Sequence, residues 1–348
     1  MLKNFFKASL LVVMVSLCVG VPIVNAGNVV SLEWTSPTSA NLSSVHMVDA
    51  DDGWAVGYGG TIIHWDGTEW STMTSPTTKD LYSVHMVNAD DGWAVGDDGT
   101  IIHWNGTEWS NVTSPTYASY LESVFMVNAD DGWIVDSSRY GPIYHWNGTE
   151  WSQAATLGDN LWSVYMISAD DGWAVGNSGT MGHWDGSQWN YQYHPTGESF
   201  LSVFMVSADD GWAVGDNGMI IHWNGTQWST VASPTTENLG SVSMISADDG
   251  WAVGYGGTII HWDGTQWSIV PSPPGAFLSS VYMVDADDGW AVGVSGTIIR
   301  WTGTEWIPEF PAAILMLLLT SLTFVVVILA KTAPKKRRKP SLPSKTRL

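Results

Sequence analysis

Six histidines and one arginine occupy equivalent places along this chain. The set is His64, His103, His145, His183, His222, His261 and, at the seventh place, Arg300. Imidazole nitrogens bind zinc, but a coordination shell of about 2 Å needs several ligands at one point. One histidine per repeat places its neighbours too far apart for such a shell. We therefore predict no metal at the histidines.

An acceptor follows each of these basic residues after a short turn. The acceptors are Glu69, Glu108, Glu150, Gln188, Gln227, Gln266 and, after Arg300, Glu305. A two-residue hairpin turn at Asp66-Gly67 places His64 directly opposite Glu69. The exchange of His for Arg opposite a glutamate is typical of a cross-strand polar pair. The sequence thus predicts one such pair in each repeat.

Seven Asp-Asp pairs, from Asp51-Asp52 to Asp287-Asp288, form a second repeated set. Aspartate in a tight turn usually accepts hydrogen bonds from its own backbone, which predicts a structural role. Carboxylate oxygens are also the ligands that Ca²⁺ prefers, so a ring of aspartates that holds Ca²⁺ is the alternative. No cofactor is predicted.

Catalytic constellations that break the repeat pattern are scarce. The chain shows no Ser-His-Asp arrangement, no zinc-ligand spacing and no glycine-rich phosphate loop. Aspartate is abundant enough for a pair of glycosidase carboxylates, but abundance does not define a site. The sequence therefore predicts a protein that is not an enzyme, with a glycoside hydrolase as the last of three alternatives.

The elements that position these residues come from a repeat of 39 or 40 residues between residues 32 and 306. Its anchor tryptophans are Trp54, Trp93, Trp133, Trp173, Trp212, Trp251 and Trp290. In the first copy four short strands are predicted, at residues 44–48, 54–57 and 61–65 and from Thr68 onward, separated by turns rich in glycine. A repeat of this length and composition predicts an all-β, seven-bladed β-propeller with four-stranded antiparallel blades.

Tryptophan is the dominant core residue of the repeat. Of 23 tryptophans, 21 fall in three columns on the second, third and fourth strands, and only Trp34 and Trp162 lie outside them. A buried indole removes about 200 Å² from water, so the columns predict the core between blades. Trp34 belongs to a surplus fourth-strand motif, Leu32-Glu33-Trp34. Either this motif or Trp306 takes the outer place in blade seven, where it closes the ring.

The repeat resembles known propeller families at three motifs. Gly-Trp-Ala-Val-Gly at residues 53–57, Gly-Thr-Ile-Ile-His at residues 60–64 and Asp-Gly-x-x-Trp at residues 66–70 resemble the photosystem II assembly factors and the BNR or Asp-box group. This resemblance implies a seven-bladed propeller and, as an alternative function, an extracytoplasmic assembly factor for a membrane complex. The assembly factors use an arginine patch and Asp-box sialidases use three arginines. Arg139 and Arg300 alone supply neither.

Both ends of the chain carry membrane signals. Residues 1–26 combine Lys3 and Lys7 with an apolar run and a small-residue cleavage site, which predicts a secretory signal peptide. The propeller then spans residues 27–307. Twenty uncharged residues from Pro311 to Ala330 are long enough, at about 30 Å, to cross a bilayer as a transmembrane helix. The basic tail at residues 331–348 predicts a cytoplasmic end and an outward-facing propeller at the cell membrane.

The Pro-Glu-Phe motif at residues 308–310 joins the propeller to this span. With the apolar segment and the basic tail, it resembles the C-terminal sorting signals of archaeal surface proteins. That resemblance implies cleavage by a sortase-like enzyme and transfer to a lipid. A permanent single-pass anchor is the alternative. Either outcome predicts a surface protein.

The charge of the predicted ectodomain restricts its partners. Between Gly27 and Pro308 only Lys79, Arg139 and Arg300 are basic, against 33 acidic residues. Such a domain repels phosphate backbones, so nucleic acid is not a predicted partner. The predicted partner is an extracellular protein or carbohydrate. Five sequons predict N-glycosylation acceptors, at Asn41, Asn105, Asn111, Asn147 and Asn224.

The ligand site is predicted where the copies differ. The connections after the second and fourth strands vary, and the blade-three copy is two residues longer and carries Arg139 and Tyr140. A variable position on the first strand adds a channel lining of His46, His85, Phe125, Tyr165, Phe204, Ser243 and Tyr282. Loops on a repeated frame tolerate change and carry function. We therefore predict a non-catalytic binding or scaffold module with its site on this face.

Overall fold

The computed structural model describes residues 23–25, 28–30, 36–116, 119–273 and 277–308. Within them, seven four-stranded antiparallel sheets follow one another along the chain, each from one continuous segment. The predicted seven-bladed β-propeller is therefore confirmed. We name the four strands of every blade A, B, C and D in chain order.

The strands have the following bounds. A two-stranded hairpin, β1 (Ile23–Asn25) and β2 (Asn28–Val30), comes first. Blade 1 contains β3 (Leu42–Met47), β4 (Gly53–Gly57), β5 (Thr61–Trp65) and β6 (Trp70–Thr72). Blade 2 contains β7 (Leu81–Asn88), β8 (Asp91–Gly96), β9 (Ile101–Trp104) and β10 (Trp109–Asn111). Blade 3 contains β11 (Leu121–Asn128), β12 (Asp131–Asp136), β13 (Pro142–Trp146) and β14 (Trp151–Thr156).

The remaining blades repeat this order. Blade 4 contains β15 (Leu161–Ser168), β16 (Asp171–Gly176), β17 (Thr180–Trp184) and β18 (Trp189–Tyr193). Blade 5 contains β19 (Phe200–Ser207), β20 (Asp210–Gly215), β21 (Ile220–Trp223) and β22 (Trp228–Thr230). Blade 6 contains β23 (Leu239–Ser246), β24 (Asp249–Gly254), β25 (Ile259–Trp262) and β26 (Trp267–Ile269). Blade 7 contains β27 (Leu278–Met283), β28 (Gly289–Gly293), β29 (Ile298–Trp301) and β30 (Trp306–Pro308).

The A strands form the inner ring, because each packs against the A strands of both neighbouring blades, β27 against β3 included. Antiparallel pairing places the A–B and C–D turns at one end of the ring, which we call the turn end. The B–C and D–A connections share the opposite end, which we call the loop end. Six blades make their B–C connection with a short 3-10 turn, and blade 3 uses the longer segment at residues 137–141.

Three tryptophans fill the joint between every two blades. Trp212 on strand B of blade 5 lies 4.8 Å from Trp262 and 5.4 Å from Trp267, measured between ring centroids, on strands C and D of blade 6. The joint between blades 7 and 1 repeats this cluster with Trp290, Trp65 and Trp70. The second-strand tryptophans are almost completely buried. The predicted inter-blade tryptophan core is thus confirmed.

A serine hydroxyl crosses every joint as well. The Oγ of each A-strand serine accepts a hydrogen bond from the backbone N–H of a valine on the A strand of the next blade. The pairs are Ser44–Val84, Ser83–Val124, Ser123–Val164, Ser163–Val203, Ser202–Val242, Ser241–Val281 and Ser280–Val45, at 3.1 to 3.3 Å. The last pair closes the ring.

The C–D turn differs from the prediction. Trp65 pairs with Trp70, so the turn contains the four residues from Asp66 to Glu69 rather than two. Asp66 Oδ1 accepts hydrogen bonds from the Thr68 hydroxyl and from the amides of Thr68 and Glu69. These bonds lower the pKa of Asp66 to about 2, and the bond from the Thr68 hydroxyl contributes most. The aspartate thus stabilises a longer turn than the Asp-Gly dipeptide alone predicts.

Blade 7 is completed by its own chain segment. Strand β30, which contains Trp306, pairs with β29 and takes the outer place. Trp34 lies outside the described residues, as do most of the predicted signal peptide, Glu309 and Phe310 of the Pro-Glu-Phe motif, the segment from Pro311 to Ala330 and the basic tail. In the described part of the chain, no helix has both the length and the apolar character to cross a membrane.

Candidate functional site

The repeated histidines pair with aspartate, not with the predicted glutamates and glutamines. His64 Nε2 lies 2.7 Å from Oδ1 of Asp52, the second aspartate of the A–B turn. The same pair recurs at His103–Asp91, His145–Asp131, His183–Asp171, His222–Asp210 and His261–Asp249. In blade 7, Arg300 Nε and Nη2 donate to both carboxylate oxygens of Asp288. The predicted acceptors were wrong because the C–D turn is longer than predicted. Glu69 lies within this turn, and Ser71 faces His64 across the hairpin instead.

The His–Asp pairs are structural supports of the turn end. Each imidazole packs on the strand-B tryptophan of its own blade, as His64 does on Trp54 with 4.3 Å between ring centroids. The predicted backbone cap is instead made by the residue two before the first aspartate, since Asp49 Oδ1 accepts from the Asp51 amide. Among the described residues, no group of three or more His, Cys, Asp or Glu side chains is arranged to hold a metal ion.

Exposed aromatic rings concentrate at the loop end. They belong to B–C connections, D–A connections and strand ends, and they are Tyr58, Tyr120, Tyr140, Tyr193, Tyr255 and Phe277. A shallow cavity of about 370 Å³ lies at the same end, lined by Leu157, Asp159, Ser178, Tyr191 and Tyr193. Aromatic side chains are enriched at protein interfaces relative to the rest of the surface. The loop end is therefore the candidate recognition surface.

The long B–C connection of blade 3 presents Arg139 and Tyr140 together. The Arg139 guanidinium carbon lies 4.9 Å from the centroid of the Tyr140 ring, and 56% of Tyr140 is exposed. Backbone bonds from Leu157 and Gly158 to the carbonyls of Gly141 and Tyr140 fix the connection to the blade. The structure thus places the two predicted ligand residues on one supported loop.

The predicted channel lining forms a belt of aromatic rings. Ring centroids of neighbouring blades are 4.4 to 4.7 Å apart in the order Tyr282, His46, His85, Phe125, Tyr165, Phe204. Ser243 takes the seventh place, where its Oγ accepts from the Met283 amide. The structure therefore brings these predicted residues together as a nearly complete ring. It records no contact between this belt and Arg139 or Tyr140.

The belt is uncharged at neutral pH. Burial lowers the pKa of His85 to about 4, and burial together with the neighbouring His85 lowers that of His46 well below its usual value. Burial also raises the pKa of Tyr165 to about 12 and that of Tyr282 above its usual value. These rings are partly accessible from the channel, but protein surrounds them, so desolvation decides their protonation. The belt is therefore an uncharged, largely aromatic lining.

A further set of residues at the channel mouth escaped the sequence analysis. Every A strand has a β-bulge at its second residue, which has no partner on strand B. Bulges re-aim side chains. The bulged residues are Ser43, Tyr82, Glu122, Trp162, Leu201, Gly240 and Ser279. These residues vary between a position that is always leucine or phenylalanine and a position that is always serine, and this variation was the available signal.

Glu122 is the bulged residue with the most perturbed chemistry. Its Oε1 accepts a hydrogen bond of 2.5 Å from the Ser137 hydroxyl. Burial, partly opposed by this hydrogen bond, raises the pKa of Glu122 to about 7, and the nearby Asp136 carboxylate adds to the rise. A carboxyl with a raised pKa near a second carboxyl is the pattern of a glycosidase.

Asp136 does not fit the second glycosidase role. It is 0% exposed, its Oδ1 accepts from the Ser138 amide, and its Oδ2 accepts from the Tyr144 hydroxyl. Neither an attacking water nor a sugar reaches a carboxylate in this position. The pair formed by Glu122 and Asp136 therefore lacks the accessible second carboxylate that hydrolysis requires.

The five sequons differ in what their asparagines do. Asn105, Asn147 and Asn224 are exposed in C–D turns, where each Oδ1 accepts the turn hydrogen bonds. Asn111 Nδ2 donates to the Pro76 carbonyl, and Asn41 Oδ1 accepts from the Ser295 amide. Glycan attachment at Asn111 replaces one of the two Nδ2 hydrogens, so only one N–H is left for this bond.

Comparison with known proteins supports the architecture. No family model matches the sequence, and no curated protein sequence matches it. Solved structures do. YCF48 bound to a D1 peptide superposes with a TM-score of 0.63 at 18% identity, over 76% of this chain and 93% of that chain. YCF48 from Cyanidioschyzon merolae gives 0.61 at 17% identity, over 77% and 97%.

The WD40 propeller domain of Doa1 is similar to the same degree. Its TM-score is 0.63 at 14% identity, over 76% of this chain and 93% of that chain. At these identities the likeness concerns the fold and not the activity. This chain is a seven-bladed β-propeller similar in fold to YCF48 and to WD40 propellers.

Proposed function

We propose that this protein is a non-catalytic binding or scaffold module that recognises a protein partner through its loop end. One observation carries the proposal: the end at which the seven copies differ is also the end that presents the exposed aromatic rings. The turn end repeats the same His–Asp or Arg–Asp pair in every blade. A surface that varies on a repeated frame is suited to an asymmetric partner.

The second candidate is an extracytoplasmic assembly factor for a membrane complex. The likeness to YCF48 bound to a D1 peptide favours it over a carbohydrate-binding role. The two candidates share the loop-end surface and differ in the partner. If the partner belongs to a neighbouring membrane complex, as the second candidate requires, deletion of that complex removes the partner and capture is lost. Under the first candidate, capture persists.

We expect Arg139→Ala combined with Tyr140→Ala to weaken partner binding about tenfold or more, because exposed Arg and Tyr side chains are frequent binding hot spots. The free energy of unfolding will change little, since both side chains are exposed. The measurement is capture of partners from native membranes by the purified propeller, with chemical denaturation in parallel.

Gly67→Ala in a C–D turn is the matched control. Gly67 has φ +85°, and an added Cβ meets Asp51 at 3.1 Å, so this change lowers stability and leaves binding intact. Undiminished capture by the double variant, together with loss of capture in the Gly67 variant, moves the site to the turn end.

The protein acts at the cell surface in this proposal, held by the segment from Pro311 to Ala330 with the propeller outside. Its support is the sequence pattern of an uncharged span followed by a basic tail. We expect protease added to intact cells to remove the propeller and spare the tail. Protection of the propeller, while a known surface protein is cut, contradicts this topology. Intact mass distinguishes a retained span from sortase-type cleavage at the Pro-Glu-Phe motif.

A further inference from the structure

The channel mouth at the loop end is asymmetric because the bulged residues differ in size. Consecutive blades 2, 3 and 4 place Tyr82, Glu122 and Trp162 there, whereas blades 5, 6, 7 and 1 place Leu201, Gly240, Ser279 and Ser43. Trp162 is held at the mouth by a 2.6 Å hydrogen bond from its Nε1 to Asn177 Oδ1. The mouth therefore has one tall aromatic and acidic wall and one low side.

Carboxyl groups surround this wall. Asp97, Glu122 and Asp80 act on the Tyr82 hydroxyl and, after burial, raise its pKa above the usual value. The charged groups that act on Glu122 are Asp136 on its own blade and Asp97 on the blade 2 turn. All are acidic. The wall thus has an excess of negative charge at a partly desolvated position, where a cation gains most.

The cations of the described loop end have other partners. Lys79 forms an ion pair with Asp98, and the Arg139 guanidinium lies over the Tyr140 ring. Neither acts on Glu122. The charge of this wall is therefore complementary to a basic group from outside the described residues.

We propose that the channel mouth binds a cationic side chain, a lysine or arginine of the protein partner, with Glu122 as its counter-charge and Tyr82 and Trp162 as its aromatic walls. Aromatic faces attract cations, and a carboxylate close to them adds an ion pair. The low side formed by blades 5, 6, 7 and 1 admits the side chain. This inference rests on the proposed function and gives the chemistry of the group that is recognised.

The site has a defined pH dependence. Because the pKa of Glu122 is raised to about 7, the carboxyl is protonated below that pH and charged above it. A cation binds the charged form, so affinity rises as pH rises through about 7, and binding releases a proton. The carboxylates of Asp136 and Asp97, which face Glu122, repel its negative charge and so help to raise its pKa.

The test uses the capped peptide Gly-Gly-Lys-Gly-Gly as probe, with norleucine in place of lysine as the neutral control. Binding is followed by NMR at the Trp162 indole N–H, assigned with Trp162→Phe. We expect saturable shifts with lysine only, and affinity about tenfold higher at pH 8 than at pH 6. Glu122→Gln, which still accepts the Ser137 hydroxyl bond, will lose about tenfold at pH 8 and abolish the pH dependence.

Asp216→Asn is the matched control for charge. It removes one carboxylate from the B–C connection of blade 5, which also lies at the loop end and is equivalent in the repeat to that of Asp97. We expect the affinity to stay within about twofold. Equal affinity of the Glu122→Gln variant at pH 8, equal binding of the norleucine peptide, or displacement of the peptide by millimolar Ca²⁺ overturns the proposal. The last result identifies a divalent-cation site instead.

The outcomes also separate this inference from the proposed function. In one outcome, the propeller captures a partner, and Arg139→Ala with Tyr140→Ala weakens this capture. If Glu122→Gln then leaves both capture and probe binding unchanged, only the cation site is contradicted. If the lysine probe binds as described but no partner is captured, only the proposed function fails.

Discussion

Replacing Trp212 with alanine will lower the free energy of unfolding by about 3 to 5 kcal/mol. Trp212 is 1% exposed and packs edge-on against Trp267 across the joint between blades 5 and 6. Its removal leaves a cavity that strand B and the next blade cannot both fill, because each is fixed to its own sheet. Urea unfolding measures the loss.

Two control substitutions define the cause. Trp212 Nε1 has no hydrogen-bond partner, so Trp212→Phe removes volume and no bond, and we expect it to cost less than half as much. Trp162→Ala, outside the three columns and half-buried, will cost about 1 kcal/mol. A loss as large for phenylalanine as for alanine contradicts the cavity explanation and points to the indole N–H.

Gly215→Ala will lower the free energy of unfolding by about 3 kcal/mol, without any effect of backbone conformation. The φ of Gly215 is −172°, which is extended backbone that any residue adopts. An added Cβ, however, lies 1.9 Å from the Ser199 carbonyl oxygen, the acceptor of the Asp216 amide. The D–A connection must therefore move away from the end of strand B.

Gly59→Ala separates the two ways in which glycine matters. Gly59 has φ +66° and no atom within 4 Å of an added Cβ, so its substitution costs only the left-handed backbone, about 1 kcal/mol. Unfolding of both variants in denaturant gives the comparison. If Gly59→Ala costs as much as Gly215→Ala, the close approach to Ser199 is not the cause.

Blade 3 differs from the other blades at the position of Gly215. Asp136 stands where the other six blades have glycine, yet blade 3 keeps the equivalent backbone bond, from the Ser137 amide to the Tyr120 carbonyl. The hydroxyl of Ser137 donates a hydrogen bond to Glu122. Asp136 and Ser137, which are specific to blade 3, therefore account for part of the altered environment of the Glu122 carboxyl.

The tryptophan core was predictable because it repeats. A residue that must be apolar in every blade leaves a column in the sequence, and the two tryptophans outside the columns are outside the joints or outside the described residues. The Ser–Val bonds repeat equally well, but a hydroxyl that bonds an amide some 40 residues away has no local pattern that distinguishes it from a surface serine.

The C–D turn and the mouth were mispredicted or missed for physical reasons. Asp-Gly predicts a two-residue turn only when its side chain does not compete, and Asp66 instead caps a turn of four residues. The histidine partners then shift from Glu69 to Asp52. The orientation of Glu122 depends on a bulge, which alternation of polar and apolar residues does not reveal.

The seam between blades 7 and 1 is built from the same parts as the other six joints: the Ser280–Val45 bond and the cluster of Trp290 with Trp65 and Trp70. The joint between the first and last blades is therefore equivalent to every other joint of the ring. Circular permutation, with new termini opened in a D–A connection of any blade and the old ones linked, preserves every joint. What distinguishes one blade from another is then the chemistry of its loop end, not its place in the order of synthesis.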